Sequence, residues 1–283
     1  MVYRGRALTT AFVLGGGGRW GAVEVGMIQA LHEAGVVPDL ILGTSIGAFN
    51  GAVIADYPGQ EGVDRLTGFW EEVTGVDLFQ TSFMDRAMRV ATMKPSLHDS
   101  DELRSLIEHA IHPDTKIEDL HTRFQCVAAS IEKSREHWFD SGSLVDAVLA
   151  SSAVPALFPP VEIGGEHFYD GGLVDSVPLG RAVDMGADVI YVLQVGRIES
   201  PLRPPERLYE AALISFEIAR RHRFAMTMER LPDGIGVHLL PTGSPVSWDD
   251  RRQLRWKDTG GIEERMQVAY ESTSAYLQEQ GIG

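Results

Sequence analysis

Leu40-Ile41-Leu42-Gly43-Thr44-Ser45-Ile46-Gly47-Ala48-Phe49 is the stretch on which the fold turns. Leu40–Leu42 reads as a short buried strand. Ile46–Ala55 returns to small apolar residues and reads as a helix. Between them lies Gly-x-Ser-x-Gly, and its setting matters more than its letters. A sharp strand-to-helix turn thrusts the serine outward with strained dihedrals. Large side chains two residues to either side would clash, and glycine stands at both places, Gly43 and Gly47. The serine also heads a helix, where unpaired N–H groups favour developing negative charge.

Upstream, Leu8–Leu14 is an apolar run stopped by glycines and reads as another buried strand. Val23, Met27, Ala30, Leu31 and Ala34 then recur at helical spacing, and Gly35 stops that helix. Strand, helix, strand, helix within sixty residues predicts a parallel pair joined by a helical crossover. Downstream, residues 60–121 read as mostly helical. Phe124–Ile131 reads as a buried strand, and Ser143 caps a helix that runs to about Ser152. Val161–Ile163 and His167–Tyr169 flank Gly164-Gly165 as a hairpin. Val189–Val195 and Gly236–Leu240 read as strands, Arg207–Arg230 and Ile262–Gln280 as helices. The expected class is α/β, a three-layer α/β/α fold with a mostly parallel central sheet, residues 1–283 forming one domain.

Gly15-Gly16-Gly17-Gly18-Arg19-Trp20-Gly21 lies between the first strand and the first helix. Successive glycines let backbone N–H groups point into one concavity, which binds an anion. A P-loop would need Gly-Lys-Ser or Gly-Lys-Thr, which is absent. Gly16, Gly18 and Gly21 match the G-x-G-x-x-G of a dinucleotide loop. That reading requires an acidic residue after the second strand, where this chain has Ser45. An oxyanion loop after one strand and a nucleophile after the next accounts for both facts. Adjacent parallel strands would bring the two loops together at the carboxyl edge of the sheet.

A serine hydroxyl needs a proton acceptor. None of the nine histidines lies in a recognised motif, and His167 and His222 read as surface or packing residues. The order Ser45, Asp170, His238 is that of an α/β-hydrolase, but that fold places its serine after several strands rather than two. Asp170-Gly171-Gly172 offers another acceptor. The glycines allow a tight turn that leaves the carboxylate projecting, although Asp-Gly also makes plain β-turns. A carboxylate serves as base when a partly apolar site raises its pKa, and Phe168 and Tyr169 are at hand.

Together these segments resemble the patatin-like phospholipases, in particular compact bacterial members. Gly43–Gly47 matches the family's elbow, Asp170–Gly172 its aspartate turn, and Gly16–Gly18 its glycine-rich loop. Ala150–Pro155 and Phe158-Pro159-Pro160 look like the family's segment ahead of the aspartate. The resemblance implies a dyad of Ser45 as nucleophile and Asp170 as base. It also implies an oxyanion hole at Gly16, Gly17 and Gly18, with Arg19, Gly43, Gly47, Gly171 and Gly172 in support. The implied activity is hydrolysis of carboxylic esters of lipids through an acyl-enzyme, as a phospholipase A, lysophospholipase or carboxylesterase, with no metal or organic cofactor. One departure stands out: the family loop usually reads Gly-Gly-Gly-x-Arg-Gly, and here Trp20 holds the basic place while Arg19 precedes it. Two rivals remain. One is an acyltransferase of the same fold; the other is a catalytically weak lipid-binding or regulatory protein.

Charge narrows the partners. The chain of 283 residues carries 25 Lys and Arg against 40 Asp and Glu, a net charge of −15. That excess repels nucleic acid and disfavours charge-driven adsorption to an anionic membrane. The expected partner is a lipid or other acyl ester, met with at most transient membrane-surface contact. Arg220, Arg221, His222 and Arg223 form the densest basic run and read as a solvated helix face. Cys126 is the one cysteine, excludes an intrachain disulfide, and reads as a buried structural thiol. No signal peptide is evident in Met1–Thr10, and no apolar run is long enough to span a bilayer, so a cytoplasmic location is expected. Val76–Met93, with Phe79, Phe83, Met84, Met88 and Met93, reads as core packing, with a lid or acyl-binding wall as the alternative.

Overall fold

A computed structural model describes residues 2–3, 6–75, 96, 98–195, 198, 201–206, 208–244 and 261–283. Strands β1 (Val2–Tyr3) and β2 (Arg6–Ala7) make a small antiparallel ribbon. The main sheet has eight strands: β3 (Thr10–Leu14), β4 (Leu40–Thr44), β5 (Arg123–Ser130), β6 (Arg135–Phe139), β7 (Val161–Ile163), β8 (Glu166–Asp170), β9 (Val189–Leu193) and β10 (Gly236–Leu239). Their order is β10-β9-β3-β4-β5-β8-β7, with β6 also paired to β5. The run from β10 to β5 is parallel throughout, while β6, β7 and β8 pair antiparallel. The helices are α1 (Ala22–Glu33), α2 (Ile46–Asp56), α3 (Gln60–Gly75), α4 (Ser100–Ala110), α5 (Leu144–Ser151), α6 (Leu179–Asp184), α7 (Leu208–Glu229) and α8 (Ile262–Glu279).

Alternation along the strands sorts the core into two layers. Ala11, Val13, Leu40, Leu42, Ile190 and Val192 face Leu179 and Ala182 of α6, with Phe224 of α7 packed against them. Phe12, Leu14, Ile41 and Leu193 face the other way, into a larger core shared with α1, α2, α3 and α5. Helices thus cover both faces of a mostly parallel sheet, which is why its central strands read as continuous apolar runs. The strand–helix alternation of the first sixty residues is realised, with β3 and β4 adjacent and parallel. The Gly164-Gly165 hairpin is present too, both residues having left-handed φ of 62° and 80°, as a two-residue turn of this kind needs.

The register around β5 positions the site. One edge of β5 pairs with β4 from Arg123 to Val127, ending on Thr44 opposite Val127. The same edge then pairs with β8 from Ala128 to Ser130, with Asp170 opposite Ala128. The opposite edge carries β6. Since β4 runs parallel to β5 and β8 antiparallel, their carboxyl ends abut.

The ribbon strands β1 and β2, strand β6 and helix α6 go beyond the sequence reading. Segment 76–93, read above as core packing or a lid, lies outside the described residues. Among the described residues no helix is long and apolar enough to cross a membrane. Cys126 is buried within β5, and burial pushes its thiol pKa upward, as suits an inert core residue.

Candidate active site

Ser45 sits between β4 and α2 with φ of 55°, in the left-handed region that a non-glycine residue seldom adopts. The strain is held from all sides. A Cβ on Gly43 would lie 2.5 Å from the Ala48 Cα, and one on Gly47 would lie 2.5 Å from the Leu14 carbonyl oxygen. Glycine at both places therefore lets α2 start tight against the ends of β3 and β4. The Ser45 main-chain N–H donates to Ser151 Oγ at 2.9 Å, and that hydroxyl donates onward to the Val127 carbonyl at 2.7 Å. Thr44 Oγ1 donates to the Asp175 carbonyl at 2.8 Å.

The Ser45 hydroxyl donates to Asp170 Oδ2 at 2.6 Å. A distance this short fits a hydroxyl donating to a carboxylate. Asp170 is fixed in turn. Its Oδ1 accepts the Gly172 N–H at 2.7 Å, and its own N–H donates to the Ala153 carbonyl at 2.9 Å. Gly171 leaves no room for a side chain, since a Cβ there would stand 2.1 Å from the Val127 carbonyl oxygen. Both dyad side chains are almost fully withdrawn from solvent, Ser45 at 8% and Asp170 at 6% exposure.

The glycine loop borders the dyad. A Cβ on Gly16 would lie 3.4 Å from that of Ser45. The N–H of Gly15 donates to the Leu193 carbonyl and that of Gly16 to the Ser176 carbonyl, at 2.9 and 3.0 Å. The N–H groups of Gly17 and Gly18 make no hydrogen bond among the described residues. Gly17 is pressed against Val195, and Gly18 has φ of 58°. Arg19 and Trp20 are both buried, the guanidinium 4.6 Å from the indole ring centre. Arg265 lies over the same ring at 4.3 Å, and Val195 packs beside it.

Comparison with known proteins bears on this arrangement. The family model for patatin-like phospholipase matches residues 12–183, well over half the chain. The chain belongs to the patatin-like phospholipase family. Among curated proteins it is 35% identical over 191 residues to lysophospholipase nte1 of Aspergillus terreus, a match covering 68% of this chain and 12% of that protein. It is 35% identical over 195 residues to the Aspergillus fumigatus counterpart, covering 69% and 12%. The chain therefore spans about 12% of the length of these relatives. Among solved structures, VipD from Legionella pneumophila aligns with a TM-score of 0.46 at 16% identity, covering 95% of this chain and 68% of that one. The type III effector ExoU aligns at 0.41 and 15%, covering 98% and 54%.

The matched patatin-like segment contains the elbow, the glycine loop and the Asp-Gly-Gly turn, but part of the surroundings of the site comes from beyond it. Arg220 on α7 reaches back to the Gly16 carbonyl at 3.3 Å and to the Ser176 hydroxyl. Arg223 bridges Asp175, at 3.2 Å, and Glu136. Glu217 accepts from both Arg220 and Arg221 at 3.1 Å. The run Arg220–Arg223 is thus not the solvated face expected from sequence. Only His222 and Arg223 are exposed, while Arg220 and Arg221 lie along the packed face. The signal was present: Glu217 precedes Arg220 by three residues and Arg221 by four, the spacing of paired charges on one side of a helix.

The histidines weighed as alternatives sit elsewhere. His238 stacks on Tyr191 at 4.8 Å and has Nδ1 3.1 Å from the Tyr276 hydroxyl. It lies on β10, with β9 and β3 between it and β4. Burial lowers its pKa. His167 turns outward to Glu132.

Among the polar residues around the site that the sequence reading did not single out are Ser151, Asp175 and Glu24. Ser151 holds the elbow, as described. Asp175 is pushed up to a pKa of about 7, because burial outweighs the attraction of Arg223 and Glu136 adds repulsion. Glu24, wholly buried on α1, is pushed well above the ordinary carboxylate range by desolvation. Its Oε2 accepts from Asn50 Nδ2 at 2.9 Å, and the same nitrogen donates to the Gly21 carbonyl. Trp70 Nε1 donates to Asn50 Oδ1 at 3.2 Å. This polar knot ties the end of the glycine loop to α1, α2 and α3.

Proposed function

We propose that this chain hydrolyses carboxylic ester bonds of lipids, with Ser45 as nucleophile and Asp170 as its base. The observation that carries the reading is the 2.6 Å hydrogen bond between Ser45 Oγ and Asp170 Oδ2, at a strained elbow beside a glycine loop. Asp170 takes the proton as Ser45 attacks the acyl carbonyl. The N–H groups of Gly17 and Gly18 hold the oxyanion, Gly16 giving up its own to Ser176. Asp170 returns the proton to the departing alcohol. Water, deprotonated by the same carboxylate, then attacks the acyl-enzyme, releasing the fatty acid and restoring the serine. Family membership supports the lipid ester, and the name of the fungal relatives favours a lysophospholipid within that class.

The test is labelling by a fluorophosphonate probe, followed by release of fatty acid from lysophosphatidylcholine and from its diacyl counterpart. A hydrolase takes the probe on Ser45 and releases acid from the single-chain lipid. An acyltransferase takes the probe but turns over slowly until an acceptor alcohol is added. A protein that only binds lipid takes no probe, and that outcome ends the proposal.

A further inference from the structure

We infer that Arg220, reaching in from α7, is the positioning residue of the glycine loop: it fixes the direction in which the Gly17 N–H points. The inference rests on the serine-hydrolase reading above. Four glycines in a row give a loop with no conformational preference of its own, so something outside must choose its shape. Gly16 is gripped at both of its polar groups. Its N–H is held by the Ser176 carbonyl at 3.0 Å, and its carbonyl is held by Arg220 Nη2 at 3.3 Å. The same guanidinium nitrogen donates to the Ser176 hydroxyl, so loop and anchor are closed into one ring of hydrogen bonds.

The consequence follows from peptide geometry. No peptide bond among the described residues is cis. In a planar trans peptide the carbonyl of one residue and the N–H of the next point in opposite directions. Holding the Gly16 carbonyl toward Arg220 therefore turns the Gly17 N–H to the other side of the loop. Gly16 itself lies between Ser176 and Ser45, its Cβ position 3.5 Å from the Ser176 hydroxyl and 3.4 Å from the Ser45 Cβ. A cation on the carbonyl also polarises the peptide and makes the Gly17 N–H a stronger donor.

Arg220 is itself preorganised. Its side chain is 10% exposed, and Glu217, 6% exposed, takes Nη1 at 3.1 Å. This pairing lets a guanidinium sit away from water without an uncompensated charge. The device lies 204 residues from Gly16 in sequence, outside the family-matched segment, and makes α7 part of the site.

The test compares wild type, Arg220→Lys and Arg220→Ala on a short nitrophenyl ester, with rates divided by the Ser45 sites titrated by a fluorophosphonate. Arg220→Ala is expected to lose about 100-fold in kcat per titrated site, with KM changed less than about twofold, the signature of a misaimed oxyanion donor. Millimolar guanidinium is expected to accelerate this variant and leave wild type unchanged. Arg220→Lys keeps the charge, but one ammonium nitrogen cannot hold Glu217 and the loop at once as Nη1 and Nη2 do, and the variant is expected to lose about tenfold. A merely structural role would lower Tm and the titratable fraction while leaving turnover per site intact. Turnover per site within about threefold of wild type in Arg220→Ala overturns the inference. If that variant does not fold, turnover within about twofold in Arg220→Lys does so. If wild type takes no adduct, the serine-hydrolase reading falls and the inference with it. A normal adduct with unaltered turnover sinks the inference alone.

Discussion

Ser45 and Asp170 meet across a single step of register. Thr44 pairs with Val127 and Asp170 pairs with Ala128, so the strands bearing the two side chains run head-on into each other along one edge of β5. A residue 125 positions away thereby comes within 2.6 Å of the serine without any long loop having to find it. The sheet supplies the rigidity that a two-residue site needs, and the turns Gly43–Gly47 and Asp170–Gly172 only aim the side chains.

If the dyad acts as proposed, its two halves fail in different ways. Ser45→Ala removes the nucleophile and is expected to abolish both probe labelling and ester turnover. Asp170→Asn leaves the hydroxyl and the turn in place but supplies no base, and is expected to lower kcat by about 10³-fold. Single-turnover kinetics with a nitrophenyl ester measures both. An Asp170→Asn protein within tenfold of wild type would remove Asp170 from the role of base.

The sequence made this dyad legible because its turns have steric demands that only glycine meets. Gly47 faces the Leu14 carbonyl and Gly171 the Val127 carbonyl, each closer than any side chain allows, so the letters themselves carry the geometry. The central strands were equally plain, since burial on both faces writes an apolar run. Strand β6 was not, because Arg135-Glu136-His137-Trp138-Phe139 is largely polar and becomes a strand by pairing with β5. Arg220 and Ser151 were hidden for a different reason. The Glu217–Arg220 spacing marks a paired face, but the main-chain carbonyls that Arg220 and Ser151 hold, of Gly16 and Val127, leave no trace in the identity of the residues that bear them.

Gly17 offers a test of the oxyanion loop that separates crowding from chemistry. A Cβ at this position would stand 2.5 Å from both Val195 methyl carbons. Gly17→Ala is therefore expected to shift the loop and lose about 10²-fold in kcat. Because the obstacle is a side chain, whose own Cβ would also stand 2.9 Å away, Val195→Gly in the same protein makes room and is expected to restore most of that loss. Gly47→Ala, whose Cβ would meet the Leu14 main chain, has no such remedy. Kinetics of the double variant that remain as poor as those of Gly17→Ala would contradict the steric account.

Ser151 links the elbow to β5 by accepting from the Ser45 N–H and donating to Val127. Ser151→Ala leaves a buried N–H and a buried carbonyl unmatched, which costs about 1–3 kcal/mol per group. Both stability in urea and kcat are expected to fall, since the same bond holds the strained φ of Ser45. An unchanged urea midpoint would show that the elbow holds itself.

Asp175 gives the fold a pH dependence of defined sign. Its pKa is raised from 3.8 to about 7, so between those values the folded chain keeps a proton that the unfolded chain has released. The stability this group contributes is complete below the lower value and is lost as pH rises through the upper one. Asp175→Asn keeps an acceptor for Arg223 and cannot ionise. The Tm of this variant relative to wild type is expected to rise from about pH 5 to about pH 8. A difference that stays constant over that range would show that Asp175 is ionised throughout.

Glu24 makes the strongest demand on its surroundings and gives the last prediction. Desolvation raises its pKa well above the usual 4.5, so burial favours the neutral form of the group. A neutral carboxyl and a carboxamide have nearly the same shape. In Glu24→Gln the amide oxygen can still accept from Asn50, and the cost in stability at neutral pH is expected to be about 1 kcal/mol or less. Glu24→Ala removes that acceptor and opens a cavity, and is expected to cost about 2–4 kcal/mol. Since Asn50 also holds the Gly21 carbonyl, the alanine variant is expected to slow turnover as well. The pH dependence separates the two protonation states. With a raised pKa, wild type loses stability as pH climbs above the unfolded value, and Glu24→Gln loses none from this site. Urea denaturation of all three proteins at two pH values decides the matter: a glutamine variant as unstable as the alanine one would mean that the buried carboxyl is charged and held by a cation.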